Sequence, residues 1–129
     1  MEKEIELHYN KYPEVNFSLD NGTYGDSELF KQQRETRGWD STECWNLDTT
    51  IAKFILPRLK EFREIHCGHP SRLGDEDKWN EILDKMISAF DFASKEADPK
   101  LSWKELEAKT VEAQEGFKLF AEYYFDLWD

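Results

Sequence analysis

Two breaks govern what this chain can build. Cys67-Gly68-His69-Pro70 and Asp98-Pro99 each place a proline where a helix cannot continue. Around them lie three stretches of roughly twenty residues or more whose apolar positions recur at helical spacing. In 41–66 the residues Leu47, Ile51, Phe54, Ile55, Leu59 and Phe62 share one face and are expected in the core. In 75–96 the face is Trp79, Ile82, Leu83, Met86, Ile87 and Phe90. From 102 to 128, positions 103, 106, 110, 113, 117, 120, 124 and 127 keep a heptad rhythm, thinned at Thr110 and Ala113. A chain so punctuated reads as mainly α: a single-domain bundle of three long helices plus one short helix.

Local chemistry supports these boundaries. The short helix spans 27–37, with Asp26 or Ser27 as cap and Gly38 as its end. Asp40 and Glu43 have capping-box spacing, so the first long helix should start at 41. Pro57 removes a donor inside it and predicts a kink between Leu56 and Leu59. Asp75 suits the start of the next helix, and Ser102 with Glu105 forms a second capping box. Before all this, 4–9 and 14–19 alternate apolar and polar residues around Lys11-Tyr12-Pro13, which suggests a small hairpin. Residues 1–25 therefore read as a strand-bearing arm and loop, and 26–129 as the helical bundle.

Charge narrows the functions. Seventeen basic against 28 acidic residues leave a formal charge of −11, which repels a phosphate backbone and favours partners with basic surfaces or divalent cations. Aromatic residues are nonetheless 15% of the chain, enough to build a core despite the charge. No stretch approaches the ~18 apolar residues that a membrane span needs, and the charged N-terminus lacks a signal peptide's apolar segment. The expected location is the cytosol, where Cys44 and Cys67 would be reduced. On one helix they would stand ~34 Å apart, too far for a disulfide.

Two clusters invite a metal. His66, Cys67 and His69 all bear ligating atoms, but a structural zinc site needs a fourth ligand, and the helix-end position suits a C-terminal cap. Glu61-x-x-Glu64 followed after sixteen residues by Glu81-x-x-Asp84 resembles the all-α nucleoside triphosphate pyrophosphatases of the MazG and dUTPase type. That resemblance implies magnesium held by Glu61, Glu64, Glu81 and Asp84, a cofactor the rest of the sequence does not call for. Helical phase opposes it: Glu81 and Asp84 lie about 200° and 140° from Trp79, on the side away from the apolar face. The lysines and arginines are scattered among acids, with no phosphate-cradling loop and no nucleophile triad.

The aromatic residues are the other candidates. Phe117, Leu119, Phe120, Tyr123, Tyr124, Phe125, Leu127 and Trp128 cover most of a helix circumference, so this end is either sunk in the core or a surface for a partner or a second copy. Phe92 falls off its helix's apolar face, Trp45 lies off the core face of its own, and Trp39 precedes a cap. Where exposed, Trp39, Trp45, Phe92, Tyr123, Phe125 and Trp128 would be binding anchors.

The landmarks Gly38-Trp39-Asp40 leading into 51–62, then 66–70, then 79–90 and finally 115–129 resemble a family of small acidic proteins encoded by tailed phages and prophages. The resemblance leaves out 1–37. It implies expression inside a bacterial host and brings no catalytic residues. Together these readings lead to the expectation of a non-enzymatic module that binds a host or phage protein, as an inhibitor of a nucleic-acid-handling or defence system.

Overall fold

The computed structural model describes residues 28–128. The strands expected over 4–9 and 14–19 and the Asp26 or Ser27 cap lie outside them. Among the described residues the protein is mainly helical and without strands. Four α-helices follow one another: α1 (Glu28–Arg37), α2 (Leu47–Ile65), α3 (Glu76–Ala93) and α4 (Trp103–Glu122). The chain falls into two compact units, divided between Thr50 and Ile51.

In the first unit Gly38 ends α1 as expected. Its φ of 84° is open to glycine at little cost, and its N–H returns to the Arg34 carbonyl at 3.0 Å. Asp40 and Glu43 do form a reciprocal capping box, but what they cap is a 3₁₀ turn, Ser41–Cys44. The long helix starts at Leu47, six residues later than position 41 implied. The tightening follows from local bonds: the Trp45 N–H reaches the Thr42 carbonyl at 3.1 Å, and the Glu43 carbonyl accepts the Thr50 hydroxyl at 2.7 Å.

In the second unit α2 continues through Pro57 to Ile65. Pro57 and Lys53, whose carbonyl loses its helical donor, are both exposed residues, so water can serve that carbonyl. The core gathers Ala52, Leu59, Trp79, Leu83, Met86, Phe90 and Tyr123, with Ile55, Leu56 and Phe62 partly buried against it. Leu47 and Ile51, expected there too, are exposed instead. The buried residues of α2 are Ala52 and Leu59. The α3 face is as expected, Trp79, Leu83, Met86 and Phe90 being buried. Burying each contributes roughly 1.5–3 kcal/mol. Trp79 meets Phe62 edge-on at 6.4 Å and Tyr123 at 5.7 Å, and Phe90 is flanked by Phe117 and Phe120 at 5.0 and 4.9 Å.

Helix α4 begins at its Ser102 cap, which accepts the Glu105 N–H at 3.2 Å. It ends at Glu122, short of 128, and the chain turns through a 3₁₀ segment, Tyr124–Asp126. The heptad seam holds only in part. Ala113 is buried and Phe117 and Phe120 partly so, whereas Trp103, Thr110 and Tyr124 are exposed.

Candidate binding surface

The polar groups around 40 are structural. Asp40 is fully buried, accepts the Thr42 N–H at 2.8 Å and the Thr42 hydroxyl, and pairs with Arg34 at 2.6 Å. Burial pushes its carboxyl up, but the bonds from Thr42 and Arg34 outweigh it and hold the group below its ordinary value. Glu43 closes the box by accepting the Asp40 N–H at 2.8 Å.

The two tryptophans beside it are open. Trp39 is 38% exposed and Trp45 57%. Trp39 is held by Arg37, whose guanidinium lies 3.7 Å over the ring while its Nε donates to the Trp39 carbonyl at 3.0 Å. Trp45 rests edge-on against Phe30 at 5.8 Å. Both rings are thus positioned, with part of each facing solvent.

A second exposed set belongs to the other unit. Phe125 is 87% exposed and Trp128 75%, with Tyr124 beside them. A ladder of edge-to-face contacts, Phe120–Tyr124 at 5.7 Å and Tyr124–Phe125 at 5.5 Å, carries this set outward from the core. Tyr123, expected with the anchors, is a core residue instead: only 7% exposed, it faces Trp79 because it sits on the inner side of the last turn. Phe92 is half-buried in a hollow of about 350 Å³ between α3 and α4 whose rim also holds Asp91, Lys95, Glu96 and Glu112. Position-by-position reading missed Trp103 and Tyr124, which the heptad count placed in the seam and which stand exposed.

The carboxylates of the pyrophosphatase pattern do not converge. Glu61, Glu64, Glu81 and Asp84 are all exposed. Arg63 occupies both oxygens of Asp84, at 2.7 and 3.3 Å. Among the described residues no group of three or more His, Cys, Asp or Glu side chains is placed to hold a metal ion. His66 is likewise committed. It is buried, its Nδ1 donates to the Gly68 carbonyl at 2.9 Å, and its Nε2 meets the Asn80 side chain at 2.7 Å. Cys44 and Cys67 are free thiols. Among the described residues no helix is long and apolar enough to cross a membrane.

No family model, curated protein or solved structure matches the chain.

Proposed function

We propose that this chain is a non-enzymatic protein-binding module of the kind tailed phages and prophages encode. It works inside the bacterial host by engaging a host or phage protein with a basic surface, as an inhibitor of nucleic-acid handling or defence. The observation that carries this reading is the pair of large rings at the C-terminus, Phe125 and Trp128, left in water on a chain of net charge −11. Exposed aromatics of this size are costly to keep in solvent and dominate the energetics of interfaces. The surrounding negative charge steers basic surfaces toward them and occupies the place a phosphate backbone would take.

The test is photo-crosslinking in bacterial lysate, with a benzophenone side chain at position 125, at 45, or at the exposed polar control Lys104. The reading expects crosslinks at 125 or 45 to a protein of basic charge, lost as salt is raised. Crosslinking no greater than at the control position, or capture indifferent to salt, would count against it.

A further inference from the structure

We infer that the C-terminal turn, from Glu122 to Trp128, is a receptor for arginine side chains on the basic partner, a deepening that rests on the binding-module reading above. The molecule already holds one guanidinium there. Arg72 lies 4.6 Å over the Tyr123 ring and donates to both oxygens of Asp126, at 2.6 and 3.2 Å. A ring face and a carboxylate three residues apart, on one turn, make that cradle.

The same three-residue spacing recurs one position earlier in the turn, with the carboxylate first. Glu122 and Phe125 are also three residues apart, and both are exposed. Glu122 adds its charge to that of Asp126 around Arg72, and the exposed rings of Tyr124 and Trp128 belong to the same turn. Elsewhere the chain uses the same contact, with Arg37 over Trp39 at 3.7 Å and Arg58 over Phe54 at 3.9 Å. A planar, weakly hydrated guanidinium can lie flat on a ring and still fork to a carboxylate, which an ammonium cannot do. Charge decides between occupants. A second copy would bring another −11 to the contact, whereas an arginine-bearing surface brings the complementary sign.

The full chain is titrated into two dye-labelled peptides of equal length and charge, one alternating arginine and glycine, the other lysine and glycine, followed by fluorescence anisotropy. The arginine peptide is expected to bind about three- to tenfold more tightly, the size of one or two exposed cation–π contacts. The double variant Phe125→Ala, Trp128→Ala should abolish that preference and leave the lysine peptide's affinity unchanged. Phe125→Leu, which keeps apolar area but removes the ring face, should lower it without disturbing the fold. Equal binding of the two peptides, no binding of either, or a preference that survives the double variant would overturn arginine recognition. Crosslinking at position 125 would still stand in each of those cases, so the two readings fail separately.

Discussion

Gly116 of α4 passes so close to the Lys85 carbonyl of α3 that a Cβ on it would stand 2.5 Å from that oxygen and 2.6 Å from the Ala89 Cβ. The two helices meet backbone to backbone at this point, and only hydrogen fits between them. Gly116→Ala sets two effects against each other. Alanine favours a helix interior over glycine by about 1 kcal/mol. The clash is with a carbonyl that its own helix holds in place, and overpacking of this kind costs about 1–3 kcal/mol. The clash wins, so Gly116→Ala should lower the thermal midpoint, whereas Glu115→Ala at the exposed neighbouring position should leave it nearly unchanged. A thermal melt followed by circular dichroism decides it, and an unchanged midpoint for Gly116→Ala would refute the close approach.

Asp40 makes part of the stability depend on acid. Its carboxyl is held below the ordinary value in the folded state, so the unfolded chain takes up a proton first as pH falls. The stabilisation is therefore fully present above the unfolded value of about 3.9 and is lost as pH falls from there through the lowered folded value. Asp40→Asn should flatten that acid limb, and Asp40→Ala, which also removes the cap, should cost about 0.5–2 kcal/mol at neutral pH. Urea denaturation between neutral pH and pH 3 measures both. An acid limb of equal slope in wild type and Asp40→Asn would show that another carboxylate is responsible.

The capping box was legible because both partners lie within three residues, and so was the α3 face, where large apolar residues form a single row. The face of α2 was not. Its apolar residues cover more than half the circumference, and which half is buried depends on contacts with Trp79 and Leu83, far along the chain. Ala52, buried at 1% exposure, is too small to weigh in a count of apolar residues. The C-terminus posed the same difficulty. Neighbouring tyrosines 123 and 124 are chemically alike, yet Tyr123 is in the core and Tyr124 in solvent, because α4 stops at Glu122 with neither glycine nor proline to announce it. Trp103 fitted the heptad and yet stands exposed. The exposure of Trp39 and Trp45 could be framed from the sequence as a question, and three-dimensional packing was needed to answer it.

His66 separates a strut from a metal ligand. With its ring bonded to Gly68 and Asn80 and beside Phe62 at 6.0 Å, it links the end of α2 to α3. His66→Ala should destabilise the fold by about 1–3 kcal/mol, because it empties a buried position and takes the partner from Asn80, which is only partly open to water. His69→Ala, three residues on and exposed, should stay within about 0.5 kcal/mol of wild type. Equal effects from the two substitutions in a chemical denaturation series would contradict the asymmetry.

Arg72 joins the turn before α3 to the turn after α4, a contact between residues 54 apart in sequence. Its guanidinium is exposed, so the pair contributes modestly to overall stability and should weaken in salt. Its local effect is larger in kind, since it is what pins Asp126, and with it the 3₁₀ turn that bears Phe125. Arg72→Ala should therefore leave the thermal midpoint nearly unchanged while speeding hydrogen exchange at the Asp126 and Leu127 amides, which bond to Tyr123 and Tyr124 at 2.9 and 3.2 Å. Raising the salt on the wild-type protein should speed the same two amides in the same direction. A loosened turn presents its rings less often in the binding geometry, so crosslinking from position 125 should fall although Phe125 and Trp128 are untouched. Unaltered exchange at both amides in Arg72→Ala would mean that the aromatic ladder from Phe120 holds the turn by itself.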